Sequence, residues 1–243
     1  MRILALDTST DYLSVALWED GLLAQRSAQA VTTSAMDTVY GWLDEIFDET
    51  DLPRQSLDAV AFGSGPGSFT GIRTACSMAH GIAVGLNLSA LAVPTLAALA
   101  WQVQARRIVA SIDARMQEVY FAAYEKKATG LVTVTAPCVL PPSAVQLPAG
   151  DSWVTCGNAY VHYALPKGQC HDDSAQPHAA AVAELAALRL QQEASSGRSA
   201  GIRLELPEYI RNRVALTIQE RLAKKRSQGR ESKGHDPASQ VER

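Results

Sequence analysis

Four short segments hold the residues of this chain whose types and spacing could do chemistry. Asp7-Thr8-Ser9 ends an apolar run, Ile3 to Asp7, with Ser14 just beyond. An acid followed by hydroxyls at a strand end can hold phosphate or Mg²⁺. The same residues can instead cap their own turn, the carboxylate accepting from the backbone two residues on. No glycine lies between Asp7 and Gly21, so the backbone there lacks the close approach a phosphate loop needs. Asp113-Ala114-Arg115, with Glu118 following, could bind an anion through Arg115 or close an internal ion pair. Cys170-His171-Asp172-Asp173 with His178 is the one cluster of metal-ligating types, and a solvated loop explains it as well. The histidines (His80, His162, His171, His178, His235) are never four residues apart, so HExxH and HxxxH are both absent and no metal site is expected.

The fourth segment says most. Residues 61 to 73 read Ala-Phe-Gly-Ser-Gly-Pro-Gly-Ser-Phe-Thr-Gly-Ile-Arg. Gly63, Gly65, Gly67 and Gly71 surround Pro66, between a strand-like run (Leu57 to Phe62) and a helix-like run (Ile72 to Leu86). Glycine permits positive φ and close packing, and proline sets one φ. The segment reads as a rigid strand-to-helix turn with amides pointing outward, able to hold an anion or dock a partner. No lysine follows the glycines as Walker A requires, and Ser68 replaces the third glycine of GxGxxG. Ser64 lacks the GxSxG spacing of a nucleophile elbow. No catalytic residue is expected.

The elements that would position these segments follow from periodicity. Strands are expected at Arg2–Asp7, Leu13–Trp18 and Leu22–Ala28. A helix follows over Ser34–Asp48, with Met36, Val39, Leu43, Ile46 and Phe47 at helical spacing and Thr33 or Ser34 as cap. Then come strand Leu57–Phe62, helix Ile72–Leu86, strand Ala90–Val93 and helix Leu96–Gln104. The pattern restarts at Ile108–Asp113, again apolar and ending in an acid, with strands Val119–Tyr124, Leu131–Thr135 and Trp153–Cys156. Pro137–Gly150 reads as a connector and Ala179–Glu193 as an amphipathic helix. A last strand at Tyr209–Val214, a helix through Arg226 and a polar tail complete the reading. Two such units imply a duplicated two-lobe α/β architecture with mixed sheets: residues 1–105, 106–226, and a disordered tail 227–243.

The chain has 243 residues, 47% of them hydrophobic, which supports a sizeable core. A net charge of −3 argues against coating nucleic acid by charge alone. Arg211, Arg213, Arg221, Lys224, Lys225 and Arg226 still form a basic segment that could touch RNA or an acidic partner. Four cysteines without CxxC spacing and the absence of a signal peptide or apolar span point to a cytoplasmic, non-membrane protein. Helix Ile72–Leu86 carries a single permanent charge, Arg73. Ala75, Ala79, Ala83, Gly81 and Gly85 alternate there with Met78, Ile82, Val84 and Leu86. A surface helix ordinarily has a polar face, and a lobe of about 100 residues buries a whole helix with difficulty. Either this helix is central in its own lobe or, the preferred reading, a partner helix covers it, small residues permitting close approach.

Gly63-Ser-Gly-Pro-Gly-Ser-Phe-Thr-Gly-Ile-Arg73, with Ile3–Asp7, Ser14-Val15-Ala16-Leu17, Ile112-Asp113-Ala114-Arg115 and Pro207-Glu208-Tyr209-Ile210-Arg211, resembles the bacterial TsaB (YeaZ) family from Met1 to about Val214. The resemblance implies the actin-like/Hsp70-like/sugar-kinase fold, two ribonuclease H-like lobes. It implies a non-catalytic scaffold that activates a TsaD-like paralogue in forming N6-threonylcarbamoyladenosine at position 37 of ANN-decoding tRNAs. A TsaE-like ATPase joins that complex, which contacts tRNA. ATP or ADP and metal are expected on those partner subunits and no cofactor on this chain alone. The two helices are expected to pack on the matching pair of the paralogue, and to form homodimers without it. This puts Met36, Val39, Tyr40, Leu43 and Ile46 of the first helix in the docking surface. From the second segment it adds Gly65, Pro66, Gly67, Ser68, Phe69, Thr70, Gly71 and Arg73, then Ala75, Met78, Ala79 and Ile82. Asp7, Thr8, Ser9 and Asp113 would be a vestigial nucleotide site. Thr33-Ser34 stands where the family shows His-Ser or His-Thr, and the extension past Arg226 is long. The rival reading is an enzyme, an ATP-binding phosphotransferase-like protein or an M22-type glycoprotease homologue.

Overall fold

A computed structural model describes residues 1–29, 35–197 and 201–211. The expected cap at Thr33 or Ser34, His235, the basic residues from Arg213 to Arg226 and the tail lie outside the described residues. Met1–Ile210 forms one compact unit containing two five-stranded sheets. The first is built from β1 (Arg2–Asp7), β2 (Tyr12–Glu19), β3 (Leu22–Gln29), β4 (Ala59–Gly63) and β5 (Ser89–Val93), in the order β3-β2-β1-β4-β5. The second is built from β6 (Arg107–Asp113), β7 (Val119–Lys127), β8 (Gly130–Leu140), β9 (Trp153–Cys156) and β10 (Cys170–Asp172), in the order β8-β7-β6-β9-β10. In each, the first three strands pair antiparallel and the last two join the first in parallel. The restart seen in the sequence is therefore a repeat of topology, with β1 and β6 as equivalent central strands.

Among the described residues five helices cover the sheets: α1 (Ala35–Thr50), α2 (Phe69–Leu86), α3 (Thr95–Gln102), α4 (Ala159–His162) and α5 (Ala179–Ser195). Alternation along the strands decides which face each helix meets. Leu4, Leu6, Val15 and Leu17 face α1 and α2, and Ile3, Ala5, Ala16 and Trp18 face α5. Helix α3 meets the second sheet through Leu96 and Leu99, against Ile108, Ala110 and Tyr124. Helices α3 and α5 thus lie between the sheets, so α5, from the second half of the chain, completes the core of the first sheet.

Three expectations change. Pro137 belongs to a strand, because β8 is an edge strand where a missing N–H costs no ladder bond. Cys170–Asp172 is not a loop but strand β10, held to β9. Tyr209–Arg211 is not a strand; the segment before it pairs at one bridge, Leu204 to Ala90, covering the open edge of β5.

Candidate functional site

The glycine turn is locked to the rest of the chain by its own backbone. Ser64 N donates to Val93 O (2.8 Å), Gly65 N to Thr95 Oγ1 (3.1 Å) and Ser68 N to Ser9 O (2.7 Å). Gly65 has φ +107, and a Cβ at Gly67 would lie 2.1 Å from the Ser9 carbonyl oxygen. At Gly71, inside the first turn of α2, a Cβ would lie 1.8 Å from the Thr8 carbonyl oxygen. Thr8 Oγ1 donates to Gly71 O (2.6 Å). The glycines therefore serve contact between two turns of the same chain. The expectation that the amides of this turn point outward is corrected at Ser64, Gly65 and Ser68, whose N–H groups are spent internally.

The Asp7 turn is buried and closed on itself. Asp7, Thr8 and Ser9 are buried. Asp7 Oδ1 accepts from Ser9 N (2.8 Å) and Ser9 Oγ (2.6 Å), the turn-capping alternative. Asp7 Oδ2 has no hydrogen-bond partner and sits where only the absent Cβ of Gly63 leaves room, 2.2 Å from that position. Burial pushes its pKa up to about 6, against the lowering effect of the two Ser9 bonds. Ser14 Oγ accepts from Ala179 N (2.9 Å) and so caps α5.

Asp113 repeats the device at the equivalent end of β6. Its Oδ1 accepts from Arg115 N (2.8 Å) and from the Tyr163 hydroxyl (3.0 Å). Arg115 also reaches Asp11 Oδ2 (3.2 Å), on the turn of the other sheet. The internal ion pair is thus the alternative realised. The cleft between Ser9, Asp11, Ser68, Asp113, Arg115 and Asn158 measures about 80 Å³, well under the roughly 300 Å³ at which ligand pockets begin. The Cys170–His178 cluster does not converge: His171 bonds Thr155 Oγ1 (3.0 Å), while His178 lies against Tyr12 and Gln25. Among the described residues no three His, Cys, Asp or Glu side chains come together as a metal site.

The docking helices are mostly turned the other way from expectation. Val39, Leu43 and Ile46 of α1 and Ala75, Met78 and Ala79 of α2 pack inward on the first sheet, and Gly65 and Pro66 are buried too. All eight are corrected as partner contacts: the sheet covers the six helix residues, and Gly65 lies buried against Ile72, Thr95 and the Glu208 carbonyl, with Pro66 buried beside it. Met36, Tyr40, Ser68, Phe69, Thr70 and Arg73 are exposed, and Gly67, Gly71 and Ile82 half-buried. The outward face of α2 runs instead through Thr70, Ser77, Gly81, Val84 and Gly85. An added Cβ at Gly81 or Gly85, or at Gly41 on α1, meets nothing within 4 Å. Between the helices lies an apolar groove of about 200 Å³, lined by Tyr40, Leu43, Phe47, Leu57, Ile82 and Leu86 among others.

At the N-terminus of α2 two motifs far apart in the sequence meet. Glu208 N donates to Ser64 O (2.9 Å), and Arg73 Nε donates to the Tyr209 hydroxyl (3.0 Å). The guanidinium lies 3.8 Å from the centre of the Phe69 ring and 5.8 Å from that of Tyr209. Phe69 and Tyr209 are each nearly half exposed, so the three form an aromatic and cationic surface knob beside the glycine turn. Sequence reasoning did not assign Tyr209 to this surface. A signal existed in the shared occurrence of the two motifs, but 136 residues separate Arg73 from Tyr209.

One mixed five-stranded sheet occurring twice, with helices shared between the copies, defines the two-lobe actin-like class of proteins. Comparison with known proteins narrows it. A family profile described as "TsaD: tRNA N6-adenosine threonylcarbamoyltransferase" matches residues 35–233. The chain is 33% identical to the "tRNA threonylcarbamoyladenosine biosynthesis protein TsaB" of Escherichia coli, over 88% of this chain and 96% of that protein. It is 32% identical to the Haemophilus influenzae protein of the same name, over 88% and 95%. A solved structure, "YeaZ from Pseudomonas aeruginosa", superposes with a TM-score of 0.74 at 34% identity, covering 86% of this chain and 99% of that one. The chain belongs to the TsaB (YeaZ) family. No helix among the described residues is long and apolar enough to cross a membrane.

Proposed function

We propose that this chain is a non-catalytic subunit in the biosynthesis of tRNA threonylcarbamoyladenosine, and that it acts by docking the outer face of α1 and α2 on a TsaD-like paralogue. One observation carries the reading: three glycines, Gly41, Gly81 and Gly85, sit in helices with open space where a side chain would be. A helical glycine costs about 1 kcal/mol relative to alanine, and nothing inside this chain requires it at these positions. A helix brought close from outside requires it, as small residues let backbones approach. The exposed Phe69–Arg73–Tyr209 knob extends the same surface to the glycine turn. Aromatic residues and arginine are the types that dominate interface energies.

The non-catalytic part of the reading rests on the Asp7 and Asp113 turns, where Oδ1 of each carboxylate is taken up by hydrogen bonds within the chain. ATP or ADP and metal belong on partner subunits, with a TsaE-like ATPase and tRNA joining through the complex. The cytoplasm is the proposed location and a homodimer the state without the paralogue. The test is co-elution of this chain with its TsaD-like paralogue, comparing wild type with Ser77→Arg and Gly81→Arg. Loss of co-elution at unchanged melting temperature supports the proposal; retention in both variants sinks it. Asp7→Asn keeps full tRNA modification in the reconstituted complex, and a large loss there would restore the enzyme reading.

A further inference from the structure

Away from the glycine turn and the outer face of α1 and α2, an open cleft of about 400 Å³ lies between the two sheets. Its size falls within the range of ligand pockets, about 300–1,000 Å³. Gln25 lines it from β3, Lys126 from β7, Trp101 and Gln102 from α3, and His178 and Glu184 from the start of α5. These polar side chains are only half spent on one another. Gln102 gives its amide hydrogens to two carbonyls, of Ala98 (3.2 Å) and Gln176 (2.7 Å). Gln25 donates to His178 Nδ1 (3.1 Å), and Glu184 accepts the Trp101 indole hydrogen on Oε2. What remains is Oε1 of Gln25, Gln102 and Glu184, three acceptors without a partner in the chain, none of them sealed from solvent. Burial lowers the His178 pKa, so the ring is neutral and its Nε2 carries a hydrogen to give.

These groups exclude most classes of ligand. An apolar molecule would strip water from three acceptors without replacing the bonds, at about 1–3 kcal/mol each. An anion would meet the same acceptors, one of them a carboxylate. A cation would meet Lys126, whose ammonium lies 4.4 Å from the centre of the Trp101 ring in the same wall. The charges of Lys126 and Glu184 balance, and what the cleft lacks is hydrogens for its acceptors. Hydroxyl groups supply hydrogens and also accept the one that His178 offers.

We propose that this cleft binds a small neutral polyhydroxy molecule, of the sugar or polyol class, whose hydroxyls donate to Gln25, Gln102 and Glu184. The probes are D-glucose, D-ribose and myo-inositol, each beside its fully O-methylated form, which keeps the oxygens and loses every donor. NMR titration of the full chain follows the Ala180 and Ala181 methyls and the Trp101 indole N–H. At least one polyol shifts these signals saturably, and its methylated form binds at least about ten-fold more weakly, the worth of one to two hydrogen bonds. Glu184→Gln, which can keep the Trp101 bond through its carbonyl oxygen and turns an amide donor toward the cleft, weakens the polyol about ten-fold. Ala180→Trp fills the cleft, blocks the polyol and guards against a Glu184→Gln chain that does not fold. No saturable shift from any of the three polyols, equal binding of a polyol and its methylated form, or an affinity unchanged in either variant would overturn the proposal. No partner protein enters the measurement, so it stands or falls separately from the docking reading.

Discussion

Replacing Gly41, Gly81 and Gly85 together by alanine separates what the isolated chain needs from what its surface is for. Each position lies in a helix, and an alanine methyl at each meets nothing within 4 Å. Alanine is favoured over glycine by about 0.8–1 kcal/mol in a helix interior. Gly85, next to the end of α2 at Leu86, should contribute about half of that. The triple variant is therefore expected to gain about 2–2.5 kcal/mol, and at roughly 2–4 °C per kcal/mol for a chain of this size to melt about 4–10 °C higher. The partner sees the opposite. Three methyls pushed into a close helix contact cost about 1–3 kcal/mol each where they clash, so affinity for the TsaD-like paralogue should fall more than ten-fold. Calorimetric melting of the isolated chain and titration calorimetry with the paralogue read the two effects. A variant that is stabilised yet binds as tightly as wild type refutes the docking face. A variant that is not stabilised refutes the claim that these positions are open.

Asp7→Asn tests the buried carboxyl. Its folded pKa of about 6 exceeds the ordinary 3.8, so the folded chain holds the proton more tightly than the unfolded one. Wild-type stability from this group is complete below about pH 4 and is lost as pH rises through 6. The loss is about 3 kcal/mol at pH 7, at 1.36 kcal/mol per pKa unit. The asparagine variant should lack that slope and equal or exceed wild type at pH 7; urea titrations between pH 4 and 8 check it. Gly71→Ala should cost at least about 2 kcal/mol, because its methyl meets the Thr8 carbonyl, seen as a lower urea midpoint. Arg73→Ala should change stability by less than about 1 kcal/mol while weakening paralogue binding at least ten-fold, measured by calorimetry on one protein batch. Glu205→Gln should loosen the 201–210 segment from Arg189 and the Ala92 amide, seen as faster cleavage there in limited proteolysis.

Much of the fold was legible because short-range rules wrote it. The repeat of an apolar strand ending in an acid at Asp7 and Asp113 marks the two central strands, and helical spacing marks α1. The end of α2 at Leu86 was read correctly, but its start was placed at Ile72, because Ser68, which accepts from Gly71 N, was not read as its cap. What was misread depends on distance in the sequence. Strand β10 exists because β9 offers a ladder, and Pro137 is tolerated because β8 has an open side. The glycine block was visible as a rigid turn, but its occupant is the Thr8–Ser9 backbone rather than a ligand, and only the packing of the two turns shows that.

By itself the sequence determined the duplicated α/β plan, the stiff turn, and a second helix too apolar for an ordinary surface. Tertiary structure decided which side of that helix is spoken for. Ala75, Met78 and Ala79 go to the sheet, while Ser77, Gly81 and Val84 are left outward. The physical reason is that composition does not distinguish apolar area covered by one's own strands from area kept for another molecule. Only the register of a helix on its sheet separates the two.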